Sequence, residues 1–80
     1  MVVKTKQLRI HQSIIRVAIQ PLTNLIDPGE YLSIVCMNDE HYYISFSEDI
    51  TFDEFSLGKE NVHYYEFLVG YKWIKMPKIE

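Results

Sequence analysis

The segment YLSIVCMNDEHYYISFS at residues 31–47 constrains the fold more than any other part of this chain. Its two halves are rich in β-branched and aromatic residues, and the second half alternates apolar and polar side chains, which is typical of a strand with one buried face. A polar loop of three residues, Asn38–Glu40, separates the halves. Two such runs joined by a loop of this length predict a β-hairpin.

The alternation also assigns the hairpin side chains to faces. Tyr43 is expected to point outward, away from the core. A buried cysteine thiol is usually unreactive, and we expect this of Cys36. The side chains expected to face inward are Leu32, Ile34 and Cys36 in the first strand and Tyr42, Ile44 and Phe46 in the second.

The stretch TKQLRIHQSIIRVAIQ at residues 5–20 is rich in β-branched residues. Within residues 13–19 the apolar side chains alternate, and this period of two favours a strand. A helix stays open as the alternative, because Ile10, Ile14 and Val17 share a spacing of three to four residues.

Two signals are expected to interrupt regular structure after this stretch. Pro21 lacks a backbone donor and is expected to end strand pairing. The run DPGE at residues 27–30 has the composition of a type II turn, in which Gly29 would supply a positive φ.

A short helix is predicted near residues 52–57. Thr51 and Glu54 have the spacing of a capping box, in which each side chain satisfies the other's exposed backbone N–H. Ile50 and Phe55 fit a hydrophobic staple across the same helix start.

The stretch NVHYYEFLVGYKWI at residues 61–74 favours a strand because of its aromatic and β-branched content, with a kink or bulge at Gly70. A helix over residues 62–74 is the alternative, since apolar residues there also recur at helical spacing. Trp73 is expected to contribute to the core.

Eighty residues are enough for one domain spanning residues 1–80. Short strands separated by turns, with one small helix, predict a mainly β domain. A small barrel or a half-open antiparallel sheet of five to six strands fits the length. The alternative is an α+β fold in which residues 8–20 or 62–74 are helical.

Three features point to the cytoplasm as the expected location. No apolar run approaches the roughly 20 residues that span a bilayer. The first residues, MVVKTKQLRI, lack the continuous apolar region of a signal peptide. Cys36 is the single cysteine, so no internal disulfide can form, as is usual in a reducing compartment.

The sequence holds no local motif for metal binding or catalysis. His11, His41 and His63 are widely separated, whereas metal sites usually show ligands at short spacing. No serine lies in a G-x-S-x-G motif, and the three glycines are too isolated to form a phosphate-binding loop. We therefore expect no enzymatic activity, no metal and no cofactor.

The formal net charge is −3, but the charge is unevenly distributed. Residues 1–26 carry +4 and residues 67–80 carry +2, whereas residues 27–66 carry −9. Complementary charge speeds the encounter of two proteins. The acidic central segment therefore indicates a partner with a basic surface.

The candidate binding residues are the acids that flank the second hairpin strand, those near the short helix, and one outward tyrosine from each HYY tripeptide. The acids at the two ends of that strand would lie roughly 20 Å apart at about 3.3 Å per residue. Tyrosine is favoured in interfaces because it offers a large amphipathic area at low entropic cost. The candidates are Asp39, Glu40, Tyr43, Glu48, Asp49, Asp53, Glu54 and Tyr64.

These observations predict a small non-enzymatic binding protein that presents an acidic, tyrosine-bearing surface to a larger basic protein. Small chains of this sort often act as regulators or inhibitors, including those carried by phages and mobile elements. One alternative is a nucleic-acid-binding barrel, because such proteins neutralise phosphates with basic residues. Its candidate residues are Lys4, Lys6, Arg9, Lys72 and Lys75. Another alternative is an oligomeric binder of a small ligand such as a nucleotide.

Overall fold

The computed structural model describes residues 1–77, and in them five antiparallel strands form one sheet. The strands are β1 (Val2–His11), β2 (Tyr31–Cys36), β3 (His41–Asp53), β4 (Glu66–Val69) and β5 (Lys72–Ile74). Their order across the sheet is β2-β3-β1-β4-β5, so the sheet is open, with β2 and β5 at its edges. The predicted mainly β fold with a half-open sheet is confirmed, and the sheet is not closed into a barrel.

The predicted hairpin is confirmed as β2 and β3, which pair in antiparallel register. Its loop, Asn38–Glu40, is closed by a hydrogen bond from the Met37 N–H to the His41 carbonyl, 2.9 Å long. Glu40 has a φ of 66° and so supplies the residue with left-handed backbone conformation that a three-residue hairpin loop requires.

The prediction of a strand over residues 13–19 is wrong. A turn of 3₁₀ helix at Gln12–Ile14 leads instead into α1 (Ile15–Leu25). Helical spacing buries Ala18 and Leu22 and leaves Val17 exposed. The β-branched composition concealed this stripe of buried residues, since tertiary packing readily overrides propensity.

Neither Pro21 nor the DPGE run has the structural role expected from the sequence. Pro21 lies inside α1, and the helix continues past it to Leu25. The type II turn is wrong, because Pro28–Glu30 forms a turn of 3₁₀ helix and Gly29 is not among the glycines with positive φ.

β3 is longer than the predicted strand and is bent by a bulge. Thr5 pairs with Ile50 whereas Gln7 pairs with Ser45, so Phe46–Asp49 lie opposite Lys6 alone. Extra residues on one strand disrupt the ladder locally and bend that strand. The first half of β3 therefore lies between β2 and the end of β1, and its second half pairs with the beginning of β1 alone.

The short helix predicted near residues 52–57 is confirmed as α2 (Glu54–Leu57), but its cap is different. Asp53 caps the helix by accepting from the backbone N–H groups of Phe55 and Ser56. The Thr51 capping box is wrong, because Thr51 still belongs to β3. The hydrophobic staple is wrong too, since Phe55 is 87% exposed.

Residues 62–74 form neither one long strand nor a helix. A turn of 3₁₀ helix at Val62–Tyr64 precedes the β4–β5 hairpin. Gly70 has a φ of 63° and opens a two-residue loop, which is the arrangement of a type II′ turn rather than the expected bulge.

The core lies between α1, α2 and one face of the sheet, which we call the inner face. The Tyr65 hydroxyl donates a 2.5 Å hydrogen bond to the Ala18 carbonyl and so ties α1 to the residue before β4. Burial raises the pKa of Tyr65. The largest fully buried side chains are Leu8, Ile10, Leu22, Ile26, Ile44, Phe46, Phe52, Val62, Tyr65 and Phe67.

Trp73 is not part of this core, which corrects the expectation from the sequence. It is half-buried and contacts Arg9 and Tyr43, side chains of the opposite face of the sheet. Over residues 1–77 we find no helix that has the length and apolar character needed to cross a membrane.

Candidate binding surface

The face of the sheet that points away from the core, here called the outer face, is organised around Arg9. The Arg9 guanidinium makes a 3.0 Å ion pair with Glu66 on β4 and donates a 3.2 Å hydrogen bond to the Tyr43 hydroxyl on β3. Its carbon Cζ lies 4.5 Å from the centre of the Trp73 ring. Four strands therefore contribute to one cation-centred cluster, which stiffens this face.

The protonation states in this cluster are set by mutual contacts. Burial works against the charge of Arg9, but hydrogen bonds to Glu66 and Tyr43 outweigh it and raise the pKa of Arg9. Burial likewise disfavours ionised Glu66, yet the hydrogen bond from Arg9 leaves the pKa of that carboxyl below its ordinary value. Both groups are thus held charged at neutral pH.

The hairpin tip is attached to the same cluster. The Tyr43 hydroxyl donates to the Asp39 carboxylate, which lowers the pKa of Asp39. That carboxylate also lies 3.8 Å from Arg9 and 3.5 Å from the ring of His41. The contacts fix the tip relative to β1 and hold the Asp39 carboxylate ionised.

Glu40 completes the acidic tip. Its carboxylate is exposed and lies 3.7 Å from His11 at the end of β1. Two carboxylates, from Asp39 and Glu66, lie within 4 Å of the Arg9 guanidinium, and Glu40 adds a third carboxylate that faces only His11. The tip therefore keeps an acidic character when the histidines are neutral.

A second acidic group lies at the other end of the β2–β3 pair. Glu48 and Asp49 are exposed in the β3 bulge, and neither carboxylate is in an ion pair with another residue of the described chain, 1–77. The Ser47 hydroxyl donates a 3.4 Å hydrogen bond to the Glu30 carbonyl, so this bulge adjoins the beginning of β2. Acids consequently flank both ends of β2.

Asp53 and Glu54 are engaged in internal contacts. The cap of α2 lowers the pKa of Asp53 through the backbone N–H of Ser56. Glu54 is buried, and its carboxylate accepts a 2.7 Å bond from the N-terminal amine, which lowers its pKa. Asp53 and Glu54 therefore have structural tasks, as Asp39 has at the hairpin tip.

The two HYY tripeptides occupy different surroundings. Tyr43 belongs to the outer-face cluster, with its ring centre 5.4 Å from that of Trp73. Tyr64 lies in a 3₁₀ turn, packs against the core and stacks beside His63. The structure does not bring Tyr64 into the cluster of Tyr43.

β2 is the least covered strand of the sheet. Leu32 is 70% exposed and Ile34 is 51% exposed, and Val35 and Met37 are similarly open. Cys36 is exposed as well, so the expectation of a buried thiol is wrong. The reason is the position of β2 at the sheet edge, where pairing with β3 alone leaves its inward side chains at the margin of the core.

A concavity of about 440 Å³ lies on the outer face beside β2. Tyr43, Val35 and Met37 supply its apolar lining, and the remaining side chains are polar. The lining residues are Gln7, Ser33, Val35, Met37, Tyr43 and Ser45. An apolar recess with a few polar groups suits a protruding side chain of a partner.

The basic residues proposed for nucleic-acid binding do not all remain available. Arg9 is engaged by Glu66 and Asp39. Lys4 and Lys6 are exposed along β1. Lys72 is the first residue of β5 and Lys75 follows the strand, and Lys75 contributes to the lowered pKa of Glu66.

The sequence pattern predicted Tyr43 and the hairpin acids as binding residues. It placed Arg9 only among the basic residues of the nucleic-acid alternative, Trp73 in the core and Glu66 in no site. These three residues are distant in sequence and meet only through the strand order, for which the chain offers no local signal. Among residues 1–77, no group of three or more metal-ligating side chains is assembled. In comparisons with known proteins, no family model, no curated protein and no solved structure matches this chain.

Proposed function

We propose that this chain is a small non-enzymatic binding protein that presents the β2–β3 hairpin to a larger protein with a basic surface. The observation that carries the proposal is the arrangement of exposed acids at both ends of an apolar strand. Asp39 and Glu40 lie at one end, and Glu48 and Asp49 lie at the other.

The chemistry of the surface supports attraction rather than proton transfer. Asp39 and Glu66 have lowered pKa values, so they are ionised well below neutral pH. A general acid or base works best with a pKa near the operating pH, which these carboxylates do not have. Fixed negative charges instead steer a basic partner toward the surface and set its orientation.

The concavity beside Tyr43 supplies the anchoring part of such an interface. Binding energy in protein complexes is concentrated in a few well-packed side chains, often aromatic residues or arginine. Val35 and Met37 line the recess together with the tyrosine ring. A partner arginine could lay its apolar stem in this recess while its guanidinium reaches the acids at the rim.

Occupation of a basic surface would make the protein a regulator or inhibitor of its partner, as small proteins of phages and mobile elements often are. The mechanism is competitive, because a basic surface covered by this hairpin is closed to other acidic ligands. The acidic hairpin favours this reading over direct nucleic-acid binding, since carboxylates repel phosphates.

Affinity capture from a lysate of the organism that encodes the chain tests the proposal. The wild type is compared with Glu48→Lys and with Glu60→Lys, a matched reversal in the loop after α2. We expect the wild type and Glu60→Lys to retain one larger basic protein and Glu48→Lys to lose most of it. Added salt should weaken the capture, because exposed charges are screened over about 10 Å at 0.1 M.

Two results would contradict the proposed function. The first is a partner whose retention is the same for all three proteins and is indifferent to salt. The second is retention of nucleic acid in place of a protein, with loss of the signal after nuclease treatment.

A further inference from the structure

The free edge of β2 presents unpaired backbone groups. The Met37 N–H bonds to the His41 carbonyl, and hydrogen-bonded and free positions alternate along an antiparallel strand. In this register the backbone N–H and C=O of Ile34 and Cys36 point away from β3. No strand of residues 1–77 lies on that side. A strand edge of this kind is a template for another strand.

β2 also lacks the features by which proteins protect such edges. Its sequence YLSIVC contains no lysine, no proline and no charged residue. Exposed apolar side chains project on both sides of the sheet, with Ile34 toward the inner face and Val35 toward the outer face. An added strand would therefore gain apolar contacts from both of its faces as well as backbone hydrogen bonds.

Charge decides which kind of strand fits this edge. Glu30, Glu48 and Asp49 lie at the beginning of β2, and Asp39 and Glu40 lie just beyond its end. A second copy of β2 would place acids opposite acids in either direction, because both ends are acidic. Like charges facing each other destabilise a strand pair, whereas opposite charges stabilise it.

From this we infer that β2 accepts an extended segment of the partner as a sixth strand, with an uncharged centre and lysine or arginine at both ends. The inference rests on the proposed function and names the part of the partner that binds. Main-chain hydrogen bonds would supply affinity, and the acids at both ends would select the segment.

A synthetic peptide provides the direct test with the wild-type protein. The probe has six alternating valine and threonine residues between two lysines at each end, a length that matches the six residues of β2. Two control peptides keep this length. One carries glutamates in place of the lysines, and the other is N-methylated at two consecutive central residues, which blocks both of its edges. Fluorescence anisotropy of each labelled peptide gives the dissociation constant.

We expect the lysine-ended probe to bind and each control to bind at least about tenfold more weakly, since one factor of ten corresponds to only 1.4 kcal/mol. Equal binding of the methylated peptide would overturn the inference, because backbone pairing would then contribute nothing. Equal binding of the glutamate-ended peptide would overturn it also, because the acids would not select the segment. Absence of binding by the lysine-ended probe at about 1 mM would have the same consequence.

Variants of Ile34 test the same edge in the protein. Ile34→Pro removes an outward N–H and leaves the β3 ladder intact, because proline is tolerated at edge positions whose N–H faces solvent. Ile34→Thr is the matched control, which changes the side chain but keeps the donor. We expect about a tenfold loss of probe binding for Ile34→Pro and a smaller loss for Ile34→Thr. Equal losses would contradict backbone pairing.

The lysate capture separates this inference from the proposed function. If Ile34→Pro retains the partner as the wild type does while Glu48→Lys loses it, the strand-addition inference fails and the proposed function stands. If neither substitution affects retention, the proposed function fails. A wild-type dimer that is disrupted by Ile34→Pro would overturn the inference by showing that the occupant is a second copy.

Discussion

The two edges of the sheet are built in opposite ways. β5 has only three residues, and Lys72 and Lys75 lie on it and next to it. β2 has six residues, carries no charge and exposes four large apolar side chains along and just beyond the strand. Short length and lysines are common means of preventing edge-to-edge association. The contrast teaches that this chain protects one edge and leaves the other open, which is the pattern expected if β2 has a partner.

The open edge is nevertheless held firmly in place. On its paired side the outer-face cluster ties the hairpin tip to β1 and β4 through Arg9. The β3 bulge bends the strand, so that Glu48 and Asp49 lie at the beginning of β2. A rigid edge loses less entropy on binding than a mobile one. If β2 binds a partner as we propose, the network around Arg9 would reduce the entropic cost of binding by fixing the edge in advance.

The largest expected effect is on the free energy of unfolding, and it distinguishes the buried strand β3 from the open strand β2. Ile34 and Ile44 are cross-strand neighbours, but Ile44 is fully buried whereas Ile34 is half exposed. We expect Ile44→Ala to lower the free energy of unfolding by about 3 kcal/mol because of the cavity it leaves. Ile34→Ala should cost about 0.5 kcal/mol or less. Urea unfolding measures both, and similar losses would show that β2 is part of the core.

A second substitution gives β2 the protection that β5 has. Leu32→Lys should weaken binding of the lysine-ended probe about tenfold, or about 1.4 kcal/mol, through lost apolar contact and charge repulsion. The free energy of unfolding should change by no more than about 0.5 kcal/mol. Thr51→Lys, on the exposed side of β3, is the matched control. Equal weakening by both lysines would mean that net charge alone governs binding.

Replacing Glu40 should separate stability from binding. Its φ of 66° is unfavourable for a residue with a side chain. Glu40→Gly should therefore raise the free energy of unfolding by about 0.5–1 kcal/mol. Removal of one acid beside β2 should weaken probe binding by roughly two- to threefold. Thermal unfolding and anisotropy measure the two effects, and stabilisation without any loss of binding would show that the tip is not part of the site.

The smallest expected effect concerns the pH dependence of the hairpin tip. The hydrogen bond from Tyr43 lowers the pKa of Asp39 below its ordinary value of 3.8. A carboxyl with a lowered folded-state pKa contributes stability above its unfolded pKa, and this contribution is lost as the pH falls through the folded pKa. Tyr43→Phe should move the pKa of Asp39 upward and reduce the acid-induced loss of stability. NMR titration of the carboxyl carbon measures this, with Tyr64→Phe as control, and an unchanged titration would contradict the assigned contact.

The hairpin could be predicted from the sequence, because the two patterns that indicate it, strand alternation and a short polar loop, are both local. It was misleading for α1, where β-branched residues such as Ile15 and Ile19 occupy helical positions that only packing against the sheet makes favourable. The candidate surface was predictable only in part. Tyr43 follows from strand parity and the hairpin acids from their positions at the two ends of the second strand, whereas Arg9 meets Glu66 only because β1 lies between β3 and β4.

The most direct test of an open β2 edge and a protected β5 edge is backbone amide hydrogen exchange with the lysine-ended probe. The comparison uses the backbone N–H groups of Ile34 and Cys36, which point outward from β2, and that of Trp73 on β5. Lys72 pairs with Val69, so the N–H of the next residue, Trp73, points away from β4 at the opposite edge of the sheet. We expect the probe to slow exchange of Ile34 and Cys36 at least about tenfold and to leave Trp73 unchanged. Unchanged exchange on β2, or equal slowing at both edges, would contradict the account.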